Sequence, residues 1–303
     1  MTFAFHSPVL LGPVLAAARG ARRAVDGTLG DGGHAEALRA AGAKVLGIDR
    51  DPSAIARAQD RLGSSNITYL CAEYASSEAL AAVQHFAPDF ILLDLGVSSR
   101  QLDDDTRGFS FRPGAPLDMR MGDTGPTATD LLALASEAEL ERWFRDYGDE
   151  RRGRALAREV IRRRQRAPLA SSDDLVNAIR AVLGPKSGPA DFARLFQAVR
   201  IATNDELGGL AEALPAFRDA LTPGGALAVI SYHSGEDRLV KHAFREWERG
   251  CICPPRQPVC TCGRLPAGHT EPHKPIVPDD AEIAGNPRAR SARLRVFRVN
   301  DDA

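Results

Sequence analysis

Residues able to do chemistry gather at three places in the first hundred positions. The run Asp26-Gly-Thr-Leu-Gly-Asp-Gly-Gly-His34 sets three glycines, Gly30, Gly32 and Gly33, between an acid and an imidazole. Glycines clustered in this way let the backbone turn tightly and approach a ligand that a Cβ would exclude. A helix starting near His34 would turn free N–H groups and a positive dipole end toward that ligand. Asp49 stands 19 residues beyond Gly30, where a carboxylate can accept both hydroxyls of a nucleoside ribose. Asp94-Leu-Gly-Val-Ser-Ser99 adds another acid and two hydroxyls. Together these residues describe a nucleoside site, and not yet a reaction.

A glycine turn by itself is weak evidence. Gly30-Asp-Gly-Gly-His-Ala35 also fits a dinucleotide fingerprint with Ala in its last place, so an NAD(P)-dependent oxidoreductase competes, as does a tight turn with no ligand. Two features favour S-adenosyl-L-methionine. Asp26 and Asp94 place acids where a pyrophosphate would be unwelcome and a sulfonium and ammonium would be welcome. The chain also lacks the Tyr-x-x-x-Lys pair that many nicotinamide reductases use.

The elements that must position these residues follow from patterning. Ala24 to Thr28, Lys44 to Asp49, Ile67 to Cys71 and Phe90 to Leu95 are short apolar runs bounded by Gly, Pro, Asn or Asp. Such runs suit strands buried on both faces of a parallel sheet, and their alternation with helical stretches predicts a doubly wound α/β unit. From about Leu102 to Asp205 only helical signals occur. Ser136 with Glu139, and Ser171 with Asp174, read as helix starts, and Phe192 to Asp205 as a third helix. Ala226 to Tyr232 is a further strand, and Arg293 to Val299 alternates like an edge strand. Eight prolines between Gly250 and Ala292 predict ordered loop there. The expectation is a Rossmann-like domain from residues 1–104 and 207–303, with residues 105–206 as an inserted helical domain.

The 303 residues carry 39 Lys and Arg against 40 Asp and Glu, which excludes a globally cationic nucleic-acid coat but not a local basic face. No apolar run is long enough to span a bilayer, no secretory signal is evident, and five cysteines do not make a disulfide scaffold. A cytoplasmic protein is expected. Cys251-x-Cys253 and Cys260-x-Cys262, with His269 and His273 near, invite a zinc reading. The usual zinc knuckle separates paired thiolates by at least two residues, so packed thiols and no metal are expected. Cys71 is expected in the core. Arg151 to Arg166 holds eight arginines against the single acid Glu159, which alone reads as a solvated helix face. Arg288, Arg290, Arg293, Arg295 and Arg298 form a second cluster. Trp143, Phe144 and Tyr147 have the spacing of helix core.

With these residues in hand, the sequence resembles the RsmH (MraW) family of bacterial methyltransferases acting on N4 of a cytidine in 16S ribosomal RNA. The likeness runs from His6-Ser-Pro-Val-Leu-Leu11 through Asp26-Gly-Thr-Leu-Gly30, Leu92-Leu-Asp-Leu-Gly-Val-Ser-Ser99 and Arg107-Gly-Phe-Ser-Phe111. It continues through Pro116-Leu-Asp-Met-Arg-Met121, Phe196-Gln-Ala-Val-Arg200, Asn204-Asp-Glu-Leu207, Cys251-Ile-Cys-Pro-Pro255 and Asn286-Pro-Arg-Ala-Arg-Ser-Ala292. It implies a class I methyltransferase fold with a helical insertion. It also implies contacts to S-adenosylmethionine from Gly32, Gly33, His34, Asp49, Asp94 and Gln101. Tyr74 stands where the family usually has Phe to pack on the adenine. Gly235 replaces a Leu, and Gly188-Pro-Ala-Asp191 departs from the family wording before Phe196.

In that light Asp94 is expected to fix the donor, with Ser98 and Ser99 lining a cytosine pocket. His233 and Asp237 would accept a proton or hold the base, against the alternative of a buried His capping a turn. Phe109 and Phe111 would meet the extruded base or serve a domain interface. The face bearing Arg151, Arg152, Arg158 and Arg162 would dock on ribosomal RNA of the small ribosomal subunit. A non-catalytic rRNA-binding assembly factor is the remaining rival, although it would have no need of the intact glycine turn and its acids. Monomer and homodimer are both open.

Overall fold

The computed structural model describes residues 8–254 and 256–301. His6, Ser7 and Pro255, each part of a block that carries the family likeness, lie outside the described residues. The chain divides into two compact units, one formed by residues up to Gly96 and from Leu207 onward, the other by Val97–Glu206.

The first unit opens with α1 (Leu11–Ala17) and then alternates strand and helix: β1 (Arg23–Asp26), α2 (Gly33–Ala40), β2 (Lys44–Asp49), α3 (Pro52–Leu62), β3 (Ile67–Cys71), α4 (Ser77–Phe86) and β4 (Phe90–Asp94). The second unit is helical: α5 (Ser99–Asp103), α6 (Ala128–Leu134), α7 (Glu137–Arg142), α8 (Gly153–Arg164), α9 (Ser172–Leu183) and α10 (Pro189–Asn204). The chain returns through α11 (Glu206–Ala220), β5 (Ala226–Ser231), α12 (Ser234–Glu248), β6 (Gly268–Thr270), α13 (Asp280–Gly285) and β7 (Arg293–Val299).

The strands form one seven-stranded sheet in the order β3-β2-β1-β4-β5-β7-β6, with β7 antiparallel to both of its neighbours. Side chains alternate across it as a strand's two-residue period requires. Ala24, Val45, Phe90, Leu92, Ala228 and Ile230 face a core shared with Val14, Ala35, Leu38, Ile55 and Ala58. Val25, Leu46, Ile48, Ile91, Leu93, Leu227 and Val229 face the opposite core, shared with Val83, Leu214, Phe217, Val240 and Phe244. The sheet is therefore covered on both sides by helices, which is why its central strands read as unbroken apolar runs. This mostly parallel, doubly wound arrangement is the class I methyltransferase fold that the resemblance implied.

Three expectations need correction. Arg293–Val299 is not an edge strand, because β6 pairs along its outer side. The proline-rich stretch is not all loop, since it holds β6, α13 and a 3-10 turn over Pro287–Ser291. Cys71 is exposed at the end of β3 rather than buried. No described helix is long and apolar enough to cross a membrane.

The second unit has its own core, built from Leu140, Phe144, Leu156, Val160, Leu175, Ile179, Leu195 and Val199 among others. Ser136 with Glu139 and Ser171 with Asp174 close the expected caps, each acid accepting from the serine's N–H and hydroxyl. Trp143–Tyr147 form a π-turn continuing α7, with Trp143 and Phe144 buried. Phe109 is buried, and Phe111 packs edge-on against Phe192 and Phe196 at 5.8 and 6.1 Å between ring centres. Phe109 thus belongs to the core of this unit, and the partly buried Phe111 packs against that core.

Candidate functional site

Strand order decides which side chains can meet. β2, β1 and β4 are neighbours, and the winding direction reverses between β1 and β4, where open α/β sheets bind ligands at the carboxyl edge. Each of these strands ends in an acid: Asp49 on β2, Asp26 on β1 and Asp94 on β4.

Backbone bonds pin the turn between β1 and α2. The Gly27 N–H donates to Leu92 O and the Leu29 N–H to Ile48 O, both at 2.9 Å. Gly32, at φ 80°, is the N-cap of α2, a left-handed conformation open to glycine at little cost. Gly30 also has positive φ, and no atom lies within 4 Å of where its Cβ would stand, so the turn leaves open space. Asp49 grips this turn from the next strand. Its Oδ2 accepts from the Gly30 N–H and its Oδ1 from the Asp51 N–H, each at 2.8 Å.

Burial sets the electrostatics. Asp26 is 1% exposed, and desolvation pushes its carboxyl up to about 6 against the opposing pull of His34. Its Oδ2 is buried and has no hydrogen-bond partner. Desolvation likewise raises Asp94 to about 7, although the Tyr232 hydroxyl donates to its Oδ1 at 2.8 Å and favours the charged form. The Asp94 side chain is enclosed by protein but keeps 23% of its surface open, and its Oδ2 lies 3.7 Å from His34 Nδ1. His34 Nε2 bonds the Val9 carbonyl at 3.0 Å, and burial lowers the imidazole's affinity for a second proton. Burial raises Asp49 as well.

A buried acid avoids the cost of its charge by holding a proton, and a cation beside it favours the charged form instead. An acidic rim beside a glycine turn with open space fits a positively charged nucleoside and does not fit a pyrophosphate. Tyr74, on the same unit, packs its ring 6.4 Å from that of Phe217.

Other expected site residues fall elsewhere. Ser98 is the N-cap of α5 in the second unit, accepting from the Gln101 N–H. The Gln101 carboxamide accepts from the Ser98 N–H and donates to Met121 O, and Ser99 opens the same helix. His233 caps α12, its Nδ1 accepting from the Gly235 and Glu236 N–H groups, as in the turn-capping alternative. Asp237 is taken up by Arg295, at 2.8 Å, and by Arg293, so both of its oxygens are committed within the fold. Arg295 is accordingly buried, whereas Arg288, Arg290 and Arg293 of the second arginine cluster are exposed. On α8, Arg158 and Arg154 pair with Glu137, while Arg162 and Arg163 pair with Glu159. Those arginines hold Glu159 down at about 2. Arg151, Arg152 and Arg166 are exposed and make no ion pair among the described residues.

Sequence reasoning missed Tyr232 and Glu236 as site residues. Glu236 is 2% exposed, and its Oε2 accepts from the Tyr232 N–H at 2.8 Å, fixing the segment that aims the Tyr232 hydroxyl at Asp94. Their signal was present only as the block Ser231-Tyr-His-Ser-Gly-Glu236. The four loop cysteines are not packed in apolar surroundings as expected; two are exposed and two half-buried.

The MraW methylase family matches residues 3–300. The chain is 55% identical over 302 residues to the ribosomal RNA small subunit methyltransferase H of Gemmatimonas aurantiaca, covering 98% of this chain and 96% of that protein. It is 46% identical over 303 residues to the protein of the same name from Heliobacterium modesticaldum, covering 96% and 97%. A solved rRNA methylase from Streptococcus thermophilus aligns over 98% of this chain and 99% of its own at 11% identity and a TM-score of 0.42.

Proposed function

The chain belongs to the MraW methylase family, and from that footing we propose that it transfers a methyl group from S-adenosyl-L-methionine to the exocyclic N4 of a cytidine in 16S ribosomal RNA of the small ribosomal subunit, in the cytoplasm. The observation that carries the donor is the convergence of Asp26, Asp49 and Asp94 at the carboxyl ends of β1, β2 and β4 around the glycine turn. A nicotinamide cofactor would bring phosphates to that same acidic edge.

S-adenosylmethionine, when bound, supplies a methyl group already activated on a sulfonium. The protein's part is to align two reactants and exclude water, worth about 7–11 kcal/mol when alignment is good. Asp94, whose side chain keeps open surface, faces the donor's positive groups, the buried Asp26 acts on them only through its field, and Asp49, fixed by the Gly30 and Asp51 amides, accepts from its ribose hydroxyls. Gly32, Gly33 and His34 form the turn and helix start beside it, and the Tyr74 ring offers an apolar face for the adenine. Tyr232 and Glu236 are positioning residues for Asp94. Ser98 and Ser99 belong to the proposal as residues lining the cytosine and Gln101 as a donor contact, with the α5 cap as their visible role. The extruded cytidine is drawn in by phosphate contacts from Arg151 and Arg152, with Arg158 and Arg162 exchanging their Glu partners for phosphates.

Isothermal calorimetry of the purified protein with S-adenosylmethionine, S-adenosylhomocysteine and NAD tests the donor. Uptake of the first two and none of the third is expected. NAD uptake, or no uptake of either adenosyl compound by folded protein, would overturn the proposal.

A further inference from the structure

Four cysteines of the first unit that the chemistry above does not use converge without bonding to one another. Cys251 and Cys253 follow α12, Cys260 and Cys262 precede β6, and their four Sγ atoms all lie within 4.8 Å of one another. Cys253 and Cys260 are 4.0 Å apart, Cys260 and Cys262 3.5 Å, and Cys262 and Cys251 3.8 Å. A disulfide needs about 2.05 Å between sulfurs, so these are thiols. Four sulfurs each about 2.3 Å from a central ion in a tetrahedron would sit about 3.8 Å apart, which falls among these three separations.

Apolar packing does not account for this convergence. Ile252, Val259 and Leu265, the large hydrophobic side chains around the cluster, are 49%, 69% and 81% exposed. Thiols that merely filled a core would be surrounded by such residues. Instead, backbone N–H groups point at sulfur: Cys253 donates to Cys251 and Thr261 to Cys253 at 3.4 Å, and Ile252 to Cys262 at 3.5 Å. Donors of this kind favour a thiolate over a thiol and orient it, as the surroundings of metal ligands do.

We propose that Cys251, Cys253, Cys260 and Cys262 bind one zinc ion tetrahedrally, fastening the connection between α12 and β6. Four protein ligands close the coordination sphere, so the ion is structural and takes no part in methyl transfer. Soft thiolates select zinc over magnesium or calcium. Coordination releases the four thiol protons and leaves a centre of net charge −2. One-residue spacing within each pair is compatible with this because the ligands come as two arms facing one another across the loop. The inference is independent of the reading of the acidic pocket.

The test is metal analysis of untagged protein produced with zinc in the medium, followed by cobalt exchange. About one zinc per chain is expected to persist through gel filtration, and the Co2+ form should show tetrahedral d–d bands with thiolate-to-cobalt charge transfer. The double variant Cys253→Ser/Cys262→Ser should lose at least tenfold in bound zinc. Metal-free native protein, stoichiometric iron in place of zinc, cobalt spectra without sulfur charge transfer, or two disulfides in non-reduced peptides would each overturn the proposal. The count is made on the native chain, so a variant that fails to fold does not hide the answer.

Discussion

Asp94 shows how a single side chain can be unfavourable for the fold alone and yet suited to the positively charged donor we propose. Its carboxyl is raised to about 7 chiefly by burial, with Tyr232 opposing the rise and Glu236 adding to it. A cation bound beside it favours the charged form, so donor binding should expel a proton when the pH is below about 7. Calorimetry at pH 6 in buffers of different ionisation enthalpy should therefore give different apparent heats, and identical heats would count against the acids as donor ligands. Asp94→Asn removes the charge but keeps an oxygen for the Tyr232 hydroxyl. It should weaken donor affinity at least tenfold, in line with about 1.5–3 kcal/mol for a bond to a charged group, while thermal stability at pH 8 stays level or rises. Asp26, Asp49 and Asp94 were legible in the sequence because each ends an apolar run. Tyr232 and Glu236 were not, because what makes them matter is a bond from Tyr232 to a residue 138 positions away.

At the scale of elements, the sequence showed helices where a cap announces them and lost accuracy where neighbouring elements intervene. α10 starts with Pro189 after Gly188, a residue with no capping side chain, and the Asp191 carboxylate accepts from the Gly188 N–H at 3.1 Å, the half of a capping box that needs no side chain at the N-cap. At its other end, the Asn204 side chain accepts from the Met121 N–H and donates to Met119 O and Arg200 O. It fastens the Pro116–Met121 segment to the helix. Asn204→Ala would leave buried backbone groups without partners and should cost about 3 kcal/mol, read as a lower denaturant midpoint; a midpoint shift near zero would remove Asn204 from that role. Across residues 151–166 the count of eight arginines overstated the free charge. Glu137 lies on α7, so its claims on Arg154 and Arg158 could not be read from α8 itself. Charge reversal at Arg151, Arg152 and Arg166 together should lower affinity for 16S RNA and flatten its logarithmic salt dependence by about two. An unchanged slope would place the RNA on another surface.

Taken whole, the molecule stores electrostatic cost in the first unit and spreads apolar burial over three cores. The sign of its pH dependence follows from Asp26. A carboxyl that is about 6 in the fold and 3.8 as a free side chain binds more protons folded than unfolded. Stability contributed by that proton is present below about pH 4 and is lost as pH rises through 6, a change of roughly 3 kcal/mol. Asp26→Asn should flatten this part of the stability–pH curve, and an unaltered curve would show that the buried acid is not its source. The doubly wound sheet was legible from its apolar runs, and the helical unit from the absence of strands between Leu102 and Asp205. The short β6 escaped notice because three residues, Gly268–Thr270, carry too little pattern to register. The thiol cluster escaped because its two arms meet only when the loop folds back. The most direct measurement gives the protein labelled S-adenosylmethionine and small ribosomal subunits, then digests the RNA and identifies the labelled nucleoside by mass. Label in an N4-methylated cytidine of 16S RNA, absent with Asp94→Asn, is expected. Donor uptake with no label transferred, or label on any other atom, would contradict the assignment.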